Sequence, residues 1–203
     1  MATKRRGSRA STEQRKSARN GKAQDAIALL KADHREVEGF FKAFDGSDSA
    51  AEKQSLAKKI CKALRIHTQI EEEIFFPAFL EATEEQDLRD EALVEHAGAK
   101  KLIAEIEGGA PGDELFDAKV TVLSEMIKHH VKEEEQRGGM FSKARSAKMD
   151  LDALGARLAA RKQELERAPD SKRAGPRQTP AALMRAASLE QSRGARAHVR
   201  KSP

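Results

Sequence analysis

The chain contains no tyrosine, no tryptophan and a single cysteine, Cys61, in 203 residues. One cysteine excludes an intramolecular disulfide, so packing or a bound ligand must hold the fold, as is usual in a reducing cytosol. Without tyrosine or tryptophan, radical chemistry on those side chains is excluded. No window approaches the roughly 20 apolar residues of a membrane span. The basic N-terminus, MATKRRGSRASTEQRKSARNGK, has no apolar stretch of the length a secretory signal needs. Its composition overlaps with mitochondrial transit peptides, but Met1, Ala2, Ala10 and Ala18 form no helical stripe. These absences predict a cytoplasmic protein with no membrane contact. A P-loop, a GxGxxG turn and an HExxH zinc-protease helix are also missing.

Charge is abundant but segregated. The formal net of +5 combines +7 on residues 1–22 and +6 on residues 169–203, which leaves −8 on residues 23–168. Both ends lack the apolar periodicity that offsets ordering entropy, and prolines and glycines interrupt the second. They are expected to be disordered basic tails, with at most a short helix around 181–189. Their sixteen basic residues could contact nucleic-acid phosphates with little sequence preference, yet they offer no aromatic ring for base stacking. Plain solubilising tails are the simpler reading.

The middle predicts helices, because apolar residues recur there at steps of three and four. Ile27, Leu30, His34, Val37, Phe41 and Phe44 form the first stripe. Ser49-Ala-Ala-Glu52 has the form of a capping box, and the stripe after it is Ile60, Leu64, His67, Glu71, Ile74 and Ala78, with Pro77 expected to kink or weaken the helix. Thr83-Glu-Glu-Gln86 reads as another capping box, followed by Leu88, Ala92, His96, Ala99, Ile103 and Ile106. A fourth helix is expected from near Asp113, through Val120, Leu123, Ile127, His130 and Glu134, to the stop at Gly138-Gly139. A fifth amphipathic segment, 147–166, carries Leu151, Leu154, Leu158 and Leu165. The predicted fold is all-α: an up-down-up-down four-helix bundle over residues 23–145, an additional C-terminal helix over 146–168, and the two tails.

Each of the four stripes points a histidine inward, and two add a glutamate one turn later. A single histidine on an apolar face is ordinarily a hydrogen-bonded core residue, and a run of three glutamates is ordinarily solvated. Six titratable groups at matching positions are different, because each uncompensated buried charge costs several kcal/mol. A cation resolves the conflict. Imidazole with carboxylate suits iron, manganese or zinc, and six ligands exceed the four of a structural zinc site, so a dinuclear centre with bridging carboxylates is expected. The order is His-x-x-x-Glu; no glutamate stands three residues ahead of a histidine, as the ferritin-type Glu-x-x-His pair requires.

In order and spacing, His34, HTQIEEEIFFPA with His67 and Glu71, EHAGAKKLI with His96, and HHVKEEE with His130 and Glu134 resemble the hemerythrin-like HHE cation-binding domain over about residues 24–145. The segment GGMFSKARSAKMDLDALGARLAARKQEL is similar to the C-terminal extension of bacterial members. The resemblance implies two iron ions with an oxo or hydroxo bridge, His34 and His67 on one, His96 and His130 on the other, and Glu71 and Glu134 bridging. Zinc or manganese are possible substitutes. Lys100 stands where oxygen-carrying hemerythrins have a further histidine, which leaves a coordination position open. The stripe selects His130 over His129, Cys61 reads as a small buried apolar residue beside Ile60, and His198 falls in the tail. Glu72, Glu73, Glu133 and Glu135 are expected to face solvent or support the imidazoles, and Phe40, Phe41, Phe75 and Phe76 to line the pocket.

The expected function is a non-haem di-iron protein that binds oxygen or hydrogen peroxide for sensing, scavenging or iron handling. Any turnover would be catalase-like, and the chain would act as a monomer or weak dimer. A nucleic-acid-associated protein that uses its tails, and a metal-free bundle with core histidines, are the alternatives.

Overall fold

The computed structural model describes residues 24–168. The tails, including 181–189 and His198, lie outside the described residues.

Among the described residues seven α-helices and one π-helical turn follow one another: α1 (Ala26–Asp45), α2 (Ala50–Ile70), the π turn (Glu71–Phe75), α3 (Phe76–Thr83), α4 (Gln86–Glu107), α5 (Phe116–Glu135), α6 (Met140–Ser146) and α7 (Leu151–Arg167). The ring of neighbours α1–α2–α4–α5, closed by α5 against α1, is the expected up-down-up-down bundle. No described helix is long and apolar enough to cross a membrane.

Local chemistry explains most boundaries. Asp25 caps α1, its carboxylate accepting the Ala28 N–H at 2.7 Å. Ser49 caps α2, its hydroxyl accepting from the Glu52 N–H. The return half of that box runs through Ser47, whose hydroxyl donates to Glu52 at 2.8 Å and accepts from the Ser49 N–H. Two expected starts are corrected. Thr83 ends α3 instead of capping α4: its hydroxyl donates to the Phe79 carbonyl, and Glu84 turns left-handed at φ 58°. Asp113 lies in the turn before α5, which begins three residues later at Phe116.

The second stripe is also corrected. Ile74 and Ala78 were expected inside, but Phe75, Phe76 and Phe79 are the buried residues. The Phe76 N–H donates to the Glu71 carbonyl, a five-residue step, and Pro77 has no N–H to continue the α ladder. The π turn absorbs the extra residue, moving the inner face from 74 and 78 to 75 and 79. Pro77 weakens the α pattern locally, as its chemistry requires.

Two apolar clusters fill the bundle. One gathers Leu30, Ile70, Phe75, Phe79, Ala92, Met140 and Phe141; the other gathers Val37, Phe41, Leu64, Ala99, Ile103, Leu123 and Ile127. Between them lies a polar layer of His34, His67, Glu71, His96, His130 and Glu134. The short helix α6 was not foreseen; it carries Met140 and Phe141 into the first cluster. The fifth amphipathic segment forms α7, whose Leu154, Leu158 and Leu165 are buried, and it packs on α1 and α2. Gly155 permits this approach: a Cβ there would sit 2.3 Å from the Gln24 carbonyl oxygen.

Candidate metal centre

All six predicted residues converge in the middle of the bundle, and each is at most 6% exposed. Ligand atoms of His34, His67, Glu71 and Glu134 lie within 4.8 Å of one another, as do those of Glu71, His96 and His130. His130 points inward, whereas His129 is 63% exposed in its side chain.

The imidazoles meet in two pairs. His34 Nε2 faces His67 Nε2 at 3.1 Å, and His96 Nε2 faces His130 Nε2 at 3.2 Å. Carboxylates hold the outer nitrogens of three of them. His34 Nδ1–H donates to Glu135 at 2.8 Å, His96 Nδ1–H to Glu72 at 2.9 Å and His130 Nδ1–H to Glu95 at 2.8 Å. An ionised carboxylate only accepts, so each of these Nδ1 atoms carries the proton, and a neutral ring then presents a bare Nε2 lone pair to the centre. Asp33 stands 3.7 Å from His67 Nδ1, too far for a hydrogen bond, and is itself held by Lys162 of α7 at 2.6 Å.

Glu71 and Glu134 occupy the space between the pairs. Glu71 Oε2 approaches His67 Nε2 at 3.2 Å and His96 Nε2 at 3.5 Å; Glu134 Oε2 approaches His34 Nε2 at 3.3 Å and His130 Nε2 at 3.7 Å. None of the four carboxylate oxygens receives a hydrogen bond. Two buried carboxylates without donors, each close to one nitrogen of either pair, are an arrangement that positive charge stabilises. The donor set therefore fits a metal cation, with nitrogen and oxygen ligands suited to iron, manganese or zinc.

Among themselves, these groups settle their charges by sharing protons. Burial alone would depress His67, but Glu71 and Asp33 outweigh it and push the imidazole up to about 10. Burial and the nearby His67 press His34 down to about 4. Burial, then the negative Glu71, lifts Glu134 to about 8. Glu71 lies well below the usual carboxylate range, because His67 and His96 outweigh its burial.

The EEE runs separate by neighbour. Glu72 and Glu135 support imidazoles, while Glu73 pairs with Arg161 at 2.7 Å and Glu133 accepts from Gln136. Lys100 does not enter the centre; its ammonium binds both oxygens of Glu72 at 2.6 Å. Phe76 stacks on His96 at 5.4 Å, and Phe75 packs against Phe141 and Phe79. Phe40 lines a cavity reaching His34 and His67, whereas Phe41 belongs to the second apolar cluster. Cys61 is buried in that cluster, where burial and Glu107 push its thiol up to about 12 and keep it protonated.

Sequence reading missed Asp33, Glu95 and Phe141, the last stacked on His34 at 5.8 Å. A signal for the two acids exists in hindsight. Asp33-His34 with His67-x-x-x-Glu71-Glu72 is matched by Glu95-His96 with His130-x-x-x-Glu134-Glu135, so the α1–α2 pair repeats as α4–α5.

The family model of the hemerythrin HHE cation-binding domain matches residues 25–138. A crystal structure of a hemerythrin HHE cation-binding domain-containing protein from Mycobacterium kansasii superposes with a TM-score of 0.59 at 21% identity, covering 70% of this chain and 87% of that one. A DNA nickase of Nostoc sp. is 27% identical over 110 residues, which span 53% of this chain but only 30% of that protein. The match to the family model agrees with a buried histidine–glutamate layer able to hold a cation, and the chain belongs to the hemerythrin HHE cation-binding domain family.

Proposed function

We propose that this chain is a non-haem di-iron protein that binds oxygen or hydrogen peroxide. The observation that supports this best is the facing of two Nε2 pairs at 3.1 and 3.2 Å around two carboxylates with no hydrogen-bond donor. His34 and His67 would hold one ion and His96 and His130 the other, with Glu71 and Glu134 between them. When bound, two ferrous ions supply two electrons to a small oxygen ligand. The chain's own contribution is positional: Glu135, Glu72 and Glu95 fix the tautomers of three imidazoles, and the phenylalanines around His34 and His96 exclude water. A cavity of about 310 Å³ runs from exposed Lys59 and Lys62, past Val37, Phe40 and Leu64, to His34 and His67. Its volume exceeds that of oxygen or peroxide, and its lining includes His34 and His67 on this side of the layer.

Protein purified without chelator or affinity tag is expected to carry about two irons per chain and a visible charge-transfer band that Glu71→Ala or His130→Ala removes. A folded, metal-free protein overturns the reading. Peroxide decay measured with and without iron separates turnover from simple binding.

A second reading, association with nucleic acid, is favoured by the sixteen basic residues of the two ends and by the DNA nickase match. DNA retention of the full chain should then fall steeply with salt and exceed that of a version trimmed to residues 23–168. Equal, weak retention of both removes this role.

A further inference from the structure

The HHVKEEE stretch contains the His-x-x-x-Glu spacing twice, one residue apart. His130 with Glu134 is the buried pair; His129 with Glu133 lies one position earlier, with His129 exposed and Glu133 half-buried. This outer pair borders a cavity of about 520 Å³ on the α4–α5 side, whose acidic lining comprises Asp90, Glu91, Glu95, Glu133 and Glu134. Among the described residues that line it there is no lysine or arginine, although Arg89 pairs with Asp90 at 3.0 Å from outside. The cavity beside His34 and His67 is mixed in charge, with Asp33, Glu36 and Glu166 alongside Lys59, Lys62 and Lys162 in its lining.

At the inner end of the acidic cavity stands Glu134, 2% exposed, with neither oxygen receiving a hydrogen bond. Glu95 joins the outer and inner histidines: Oε1 lies 3.3 Å from His129 Nε2, while Oε2 accepts from His130 Nδ1 at 2.8 Å. A single half-buried carboxylate thus touches both the exposed imidazole and the buried one.

We infer that this cavity is the loading route for the centre's divalent cation. His129 and Glu133 take the hydrated ion from solvent, Glu95 receives it as it sheds water, and Glu134 accepts it at the inner end. No bond is made or broken except to the metal, and the displaced ligands are water and protons. The acidic lining raises the local cation concentration, as a cleft of one sign of charge does. The other cavity balances its lysines with Asp33, Glu36 and Glu166 and so lacks that excess of negative charge; it is left to the small ligand. This assignment rests on the cation-binding reading of the six buried residues.

The test is stopped-flow mixing of metal-free, full-length protein with Co²⁺, following the visible absorption of the bound ion. Wild-type loading should slow as salt is added. His129→Gln combined with Glu91→Gln should load about tenfold more slowly and less salt-dependently, yet reach the same final stoichiometry and spectrum. Lys59→Gln combined with Lys62→Gln should not load more slowly than wild type. Glu95 is left intact because it also orients His130. Wild-type speed in the His129/Glu91 variant overturns the route while leaving the centre standing. Failure of the wild type itself to take up Co²⁺ sinks the centre, and the route with it.

Discussion

Three of the four imidazoles at the centre, those of His34, His96 and His130, are each oriented by a carboxylate from a different element. Glu95 of α4 turns His130 of α5, and Glu72 of the π turn holds His96 of α4. Such partners fix ring orientation and raise ligand basicity. Glu72→Gln or Glu95→Gln should therefore lower cation affinity by about 10- to 100-fold, read by competition with a coloured chelator, without unfolding the chain. Protonation gives a second prediction. Near pH 7, His67, at about 10, and Glu134, at about 8, both hold protons, and a cation must displace them. Loading in weak buffer should acidify the solution, affinity should fall as pH is lowered, and proton release should decline as pH rises past each value. Release that does not change between pH 6 and 10 would contradict this assignment. The six inward residues were legible because i and i+4 share a helical face. Asp33 and Glu95 were not, because their roles depend on what another helix places opposite them.

The π turn shows how far periodicity carries at the level of the element. The α period extrapolated past Glu71 selects Ile74 and Ala78, and it was right up to the residue where the hydrogen-bond step changed from four to five. The cue was Pro77, which signals a disturbance but not its form. The C-terminal helix α7 has a clear leucine stripe, yet only the structure shows what that stripe meets. It crosses α1 at Gly155 and carries Lys162 onto Asp33 and Arg161 onto Glu73. Gly155→Val should lift α7 from α1 and cost about 1–3 kcal/mol, visible as a lower urea midpoint and faster amide exchange in α7. An unchanged midpoint would mean that α7 does not dock as described. Lys162→Met should be milder, since Leu154, Leu158 and Leu165 still pack.

On the scale of the whole molecule, a polar layer separates two apolar clusters, so the bundle's middle is stabilised only when its charges are matched. Binding to the folded state alone stabilises by mass action, about 2.7 kcal/mol at a hundredfold excess over Kd. For a domain of this size that corresponds to a rise in Tm of about 5–10 °C. Thermal unfolding with Fe²⁺ or Mn²⁺ present, against the same protein after chelation, measures it, and identical midpoints would show that the layer is stable without metal. The all-helical class, the stripes, the inward histidines and glutamates and the expectation of a bound cation follow from the sequence by itself, because they depend on spacing within single helices and on the cost of burying charge. Only the tertiary structure decided which acid turns which imidazole, where the inner face shifts at the π turn, what covers α1, and that the charged lining of one cavity is acidic while the other mixes acids with lysines. Those features arise from side chains on separate helices brought within a few ångströms, a relation that spacing along one helix does not carry.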